Sequence, residues 1–170
     1  MNPIEIWNIV KIEGTDIQID FLRRKMIPEI ESTWDGCQID LDPYLDIPIE
    51  ILKKDESIVH SWCLQNWGFE QFRYAEFDGF DILVFITING NGEKLIQRLS
   101  ETHPKLKFNM EYSMSEDNDL RKELVIENGV ILNSKEYSFK SYNSILSKTR
   151  RFVLKAISAT KQKMKNEGRK

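Results

Sequence analysis

Phe80-Asp81-Ile82-Leu83-Val84-Phe85-Ile86-Thr87-Ile88 is the strongest strand signal in the chain. Side chains alternate across a strand, so Phe80, Ile82, Val84, Ile86 and Ile88 fall on one face and Leu83 and Phe85 on the other. A strand that is apolar on both faces belongs inside a sheet covered on both sides. Phe72-Arg73-Tyr74-Ala75 reads as the preceding strand, with a turn at Asp78-Gly79. After Ile88, Asn89-Gly90-Asn91-Gly92 turns into a helix carrying Leu95, Ile96 and Leu99, with Asn91 as its cap and Pro104 as its stop. Leu106, Phe108, Met110 and Tyr112 then alternate with Lys105, Lys107, Asn109 and Glu111, the pattern of a half-buried strand nearer an edge.

Working back toward the N-terminus, the β-branched run from Ile4 to Ile12 predicts a strand ended by Gly14. Thr15 and Gln18 have capping-box spacing, and Ile17, Phe21 and Leu22 supply the apolar side of a helix that Pro28 closes. Residues 31–65 read as an insertion. Within it Pro48-Ile49-Glu50-Ile51-Leu52 suggests a short extended piece, and Asp55 a cap for a short helix through Ile58, Val59 and Trp62. Toward the C-terminus, Leu124-Val125-Ile126 and Val130-Ile131-Leu132 flank an Asn128-Gly129 turn, a hairpin signature. From about Ser141 a stripe of Tyr142, Ile145, Thr149, Phe152, Val153, Ala156, Thr160 and Met164 has helical spacing.

The resulting order is β-α-(insertion)-β-β-α-β, the split antiparallel arrangement of ferredoxin-like α+β folds. That layout puts the first and third core strands mid-sheet, and these are the strands apolar on both faces. The expected architecture is a body over 1–134, with insertion 31–65 and an added hairpin, followed by a long basic C-terminal helix over 135–170. That helix would pack on the same domain and cover the second sheet face.

Charge is divided along the same line. Residues 1–134 hold thirteen Lys/Arg against twenty-five Asp/Glu, and residues 135–170 hold eleven against two. An acidic body disfavours broad nucleic-acid binding, which depends on neutralising phosphates. The basic segment leaves that chemistry open locally, with Lys148, Arg151 and Lys155 on its charged flank as candidate partner-binding residues. With 41% hydrophobic residues in 170, the chain can fill a core. No run approaches the roughly 20 apolar residues of a membrane span, and the first residues form a strand pattern instead of a signal-like stretch. Cys37 and Cys63 are too few for a disulfide scaffold, so they are expected to be reduced thiols in a cytoplasmic protein.

Trp62-Cys63-Leu64-Gln65-Asn66-Trp67-Gly68, the strand at 80–88, and Leu99-Ser100-Glu101-Thr102-His103-Pro104-Lys105-Leu106-Lys107-Phe108 together resemble the YubB-type ferredoxin-like family of plasmid and phage proteins. The family pattern is an Asn-Trp-Gly signature, then a strand and helix, then a leucine–serine to proline–x–leucine–x–phenylalanine stretch. The resemblance spans roughly 1–13 and 60–132. The family continues its signature with Thr-Lys where this chain has Phe69-Glu70, and often ends the strand in Trp-Pro where this chain has Ile88-Asn89-Gly90. The resemblance implies a fold and a mobile-element setting, and no catalytic residues.

The candidate chemistry is sparse. Asn66, Trp67 and Gly68 suit a structural corner, with Gly68 permitting an awkward backbone. Asp40-x-Asp42 resembles the start of a calcium loop, yet Pro43 interrupts it and Asp46-Ile47 stands where glycine should turn the chain, so Asp35, Asp40, Asp42 and Asp46 read as solvated or capping acids. Ser115-Glu116-Asp117-Asn118-Asp119 reads as an exposed loop. Asn89–Lys94 has neither phosphate-loop nor dinucleotide spacing. His60 and His103 lie in different elements without a nucleophile–base constellation, and Glu70 and Glu76 only flank a strand. No cofactor or metal is expected. The leading expectation is a non-enzymatic protein-interaction module binding a host or self partner through a sheet edge, the insertion or the basic helix. A small nucleic-acid-binding protein comes next, and a small enzyme last.

Overall fold

The computed structural model describes residues 3–27, 38–114 and 120–138. The expected C-terminal helix, its cover of the second sheet face, Lys148, Arg151, Lys155, Cys37, Asp35 and the acidic stretch 115–119 lie outside the described residues. Within Met1–Glu136, one compact unit, the order is β1 (Glu5–Glu13), α1 (Asp16–Lys25), a short 3-10 turn (Asp42–Tyr44), α2 (Ile49–Leu52), α3 (Glu56–Trp67), β2 (Phe72–Phe77), β3 (Ile82–Ile88), α4 (Glu93–Thr102), β4 (Lys107–Met114), β5 (Leu120–Glu127) and β6 (Val130–Ser138), the last running two residues past that unit.

The strands form one six-stranded sheet in the order β2-β3-β1-β4-β5-β6. The pairings β1–β3, β1–β4, β2–β3 and β4–β5 are all antiparallel. β1 and β3 lie inside the sheet and pair from Glu5 opposite Ile88 to Lys11 opposite Ile82. This is the placement their two-sided apolar character requires.

Directly opposed residues share a face, so the register sorts the side chains. Ile6, Asn8, Val10 and Ile12 share the first face with Leu83, Phe85 and Thr87, and with Phe108, Met110, Leu124 and Ile126. Ile19 and Leu22 of α1 and Leu95, Ile96 and Leu99 of α4 join that core. Ile39, Leu41, Tyr44 and Leu45 of the insertion complete it. The second face presents Trp7, Ile9, Tyr74, Val84, Ile86 and Ile88, with Val84, Ile86 and Ile88 buried.

Several elements differ from the sequence reading. Phe80 is outside the strand and exposed, because Asp78 N–H donates to Ile82 O and Gly79, at φ 83°, closes a turn that holds it. β4 is interior, because the hairpin extends the sheet beyond it. Pro48–Leu52 is helical rather than extended. Proline at a helix start lacks only an N–H that would be orphaned anyway, and Pro48 O accepts from Ile51 and Leu52. The helix after Asp55 runs to Trp67, two residues beyond the insertion limit of 65. Asp55 occupies the N-cap position and accepts through its backbone oxygen, with no side-chain capping bond.

In α1 the Thr15–Gln18 capping box forms with both reciprocal bonds. The buried side is Ile19, Leu22 and Met26, whereas Ile17 and Phe21 are exposed. Ile19, Leu22 and Met26 follow the three-and-four spacing of one stripe, and Ile17 with Phe21 forms the neighbouring stripe turned away.

The Asn128-Gly129 turn forms as expected, with both residues at positive φ, 49° and 74°. It joins strands longer than the sequence suggests. The turn is tied to α4: Gly129 N–H donates to Ser100 Oγ at 3.0 Å, and Gln97 Nε2 donates to Gly129 O at 3.2 Å.

Truncating Leu83 to Ala should cost about 3 kcal/mol, as for a fully buried leucine, while Phe80→Ala should cost less than about 1 kcal/mol. Urea unfolding of the two variants checks this, and equal losses would place Phe80 in the core.

Candidate functional site

Two regions bring chemistry-bearing side chains together. The first is a polar knot where β1, β3, α3 and the entry to α4 meet. Asn8 is buried in the middle of β1. Its Nδ2 donates to Ile6 O and Thr87 Oγ1, each at 3.0 Å, and its Oδ1 accepts from Gly92 N–H at 3.0 Å. Thr87, also buried, donates its hydroxyl proton to Gly90 O. Two of these bonds, to Gly92 directly and to Gly90 through Thr87, fix the β3–α4 turn to the sheet.

That turn explains Asn89-Gly90-Asn91-Gly92 residue by residue. Asn89 adopts positive φ and exchanges bonds with Ile4, accepting from its N–H at 2.9 Å and donating its own N–H to Ile4 O at 2.8 Å. A Cβ on Gly90 would lie 1.5 Å from Gly68 O, so only glycine lets the two backbones meet. The cap position of α4 falls to Gly92 and not, as expected from the sequence, to Asn91; Asn91 stands one residue earlier, where its Oδ1 accepts from Glu93 N–H at 3.0 Å. With the first N–H groups of α4 held by Asn8 and Asn91, and with Glu93 ion-paired to Lys122 at 3.3 Å, this helix start is not an anion site.

Asn66, Trp67 and Gly68 form the other side of the knot. Asn66 Nδ2 donates to Trp62 O at 2.8 Å, and Asn66 O accepts from Lys94 Nζ at 3.0 Å. Trp67 packs on the core and donates its indole N–H to Leu45 O at 2.7 Å, anchoring the insertion. Gly68 ends α3 in the left-handed conformation at φ 81°. The signature is a corner whose polar groups bond to the fold.

The second region is an open cleft of about 280 Å³ lined by Lys25, Pro43, Tyr44, Arg98, Thr102 and His103. Tyr44 Oη lies 3.3 Å from His103 Nε2, and Phe21 meets the imidazole edge-on with ring centroids 6.3 Å apart. Burial, aided by the Lys25 ammonium, holds His103 below its ordinary pKa, and burial pushes Tyr44 up. Arg98 is held by Asp46 at 2.8 Å and Glu101 at 3.4 Å. Asp46 is therefore an ion-pair partner, and the cleft's charge is largely balanced. It contains a histidine and a tyrosine but no nucleophile aligned with them. His60 lies in α3, 3.5 Å from Glu56, remote in sequence from that cleft.

On the second sheet face Glu111 and Glu123 stand directly opposite across β4 and β5. Burial pushes Glu111 up to about 7, and the Glu123 charge adds to the rise. Arg121 contacts Glu111 and lies 3.5 Å from Glu123. Glu76 hydrogen-bonds Tyr74 in β2, and Glu70 directs its backbone N–H to Ile88 O. Among the described residues no group of His, Cys, Asp and Glu has the arrangement of a metal centre, and no helix is long and apolar enough to cross a membrane. No protein-family model, curated protein or solved structure matches the chain.

The knot centre, Asn8, was missed in the sequence reading, although an amide inside a β-branched run is a legible signal. Gly90→Ala should destabilise by about 3 kcal/mol, because backbone atoms must move, against about 1–2 kcal/mol for Gly79→Ala, where only the left-handed φ is at stake. Denaturant titration separates the two, and parity would remove the close approach at Gly68. His103 gives a pH signature. Its folded pKa lies below the unfolded value of 6.5, so its stabilising share is complete above that value and falls as pH drops toward the folded pKa. Unfolding free energies at pH 8 and pH 5 should differ less in His103→Gln than in the native chain, and an unchanged difference would dismiss the effect.

Proposed function

We propose that the chain is a non-enzymatic protein-interaction module built on a ferredoxin-like split sheet, of the YubB type found in phage and plasmid proteins. The strand order β2-β3-β1-β4, antiparallel throughout, supports the split reading, with α1 and α4 as its two connections and β5–β6 as the extension. The long basic C-terminal helix belongs to the same proposal.

The observation that carries the function is the state of the two sheet edges. At β2 the outer side is engaged, since Gln38 N–H donates to Ala75 O at 2.8 Å. At the other end no strand pairs with the outer side of β6 among the described residues. A two-residue turn fixes hairpin register, setting Glu127 opposite Val130 as a hydrogen-bonded pair. By alternation Ile131, Asn133 and Lys135 then point their backbone N–H and C=O groups outward. This row can accept an extended segment of a protein partner by main-chain pairing.

The runner-up reading, backbone binding to nucleic acid by Lys148, Arg151 and Lys155, draws on the excess of eleven Lys/Arg over two acids in residues 135–170. The third, a small enzyme, draws support from no constellation among the described residues.

Panning a displayed peptide library against the full chain tests the leading reading. The selected peptides should be extended and β-prone. Asn133→Pro and Lys135→Pro, which remove only outward N–H groups, should weaken their binding by about tenfold or more while leaving far-UV circular dichroism unchanged. Peptides bound equally by both variants would overturn the edge as the docking element. Salt-dependent retardation of duplex or single-stranded DNA that is lost on charge reversal at Lys148, Arg151 and Lys155 would instead establish the runner-up.

A further inference from the structure

We infer that the partner received by β6 is a second copy of this chain, paired antiparallel β6 to β6 about a two-fold axis; the inference rests on the edge reading above. Exposed edges are ordinarily protected by charge, proline or a covering segment. Val130-Ile131-Leu132-Asn133-Ser134 carries neither charge nor proline, and Val130 and Leu132 are each 57% exposed. Charge enters β6 only at Lys135 and Glu136, so its first five residues are a template for pairing.

The occupant follows from what each kind of pairing would generate. Head-to-tail addition of β6 to the β2 edge of another molecule would propagate as a filament, and the Gln38–Ala75 bond stands in its way. Pairing of β6 with β6 uses the same edge on both molecules, and the assembly closes at two.

The sequence of β6 suits this pairing. An axis at Asn133 matches 130–136 with itself, so that the outward residues form hydrogen-bonded pairs, Ile131 with Lys135 of the second copy and Asn133 with its own counterpart. Leu132 then stands opposite Ser134, and the two copies of Leu132 become diagonal neighbours on the second face, within reach of each other. Moving the axis to Lys135 would oppose two ammonium groups, and moving it to Ile131 would carry the Asn128-Gly129 turn past the partner strand. The centre of the strand is therefore also its most compatible register.

Sedimentation velocity of the full chain over a concentration series, with hydrogen exchange at the Ile131, Asn133 and Lys135 amides, tests the inference. The expected result is a species of twice the chain mass that dissociates on dilution, with protection of those amides rising alongside it. Asn133→Pro should leave the monomer folded by circular dichroism and weaken dimerisation by about tenfold or more, and Leu132→Lys should weaken it by bringing two like charges to diagonal positions. A monomer at all concentrations with fast-exchanging edge amides would overturn the second copy as partner while the edge remains available. A monomer with protected edge amides would place a segment of the same chain on β6 and overturn both readings. A dimer indifferent to both substitutions would put the interface elsewhere and overturn the inference.

Discussion

The side-chain amide of Asn8 is the constraint around which this fold is organised. A primary amide in an apolar core is tolerated only when its donors and acceptor are satisfied, since an unmade bond there costs about 1–3 kcal/mol. Asn8 meets that demand by bonding within β1, across to β3 and to the backbone that opens α4. The α4 entry cannot move without orphaning a buried group. Through Thr87 and Gly90 the same constraint passes to Gly68, where α3 ends. The insertion, both central strands and the second core helix are thus referred to one point.

From that point the organisation spreads outward by decreasing degrees of enclosure. The first face is a continuous core closed by α1, α4 and the 39–45 segment. The hairpin is fixed at its turn by Ser100 and Gln97, so β6 is held by its β5 pairing and by the end near α4. Rigid support for an edge strand is what main-chain docking requires, because a strand that is already extended loses less entropy on pairing. The polar groups of the Asn-Trp-Gly corner, by contrast, are bonded within the fold. Its geometry serves the architecture.

How legible this was depends on whether a feature is local. The Thr15–Gln18 capping box and the Asn128-Gly129 turn each need only a few neighbouring residues, and each forms as the sequence indicates. Where two local signals compete, the reading fails. Pro48 suits an extended strand and a helix start equally, and its neighbours decide for the helix. Ile17 and Phe21 are apolar but occupy the wrong stripe of α1, and the burial of Ile19, Leu22 and Met26 is chosen by the sheet beneath them. Phe80 looks like a strand residue until the Gly79 turn, closed by Asp78 and Ile82, takes it out.

By itself the sequence determined the strand and helix periodicities, the interior place of β1 and β3 with the two-sided burial of β3, the hairpin turn and the division of charge, because each follows from residue type and spacing along the chain. Only the tertiary structure decided that Asn8 and Thr87 bind the α4 entry, that Gly68 and Gly90 bring their backbones together, that β4 lies inside the sheet, and that β6 is an edge strand among the described residues. Those facts depend on residues far apart in sequence meeting across strands. Register and edge position come from pairing partners, which no single segment carries within itself.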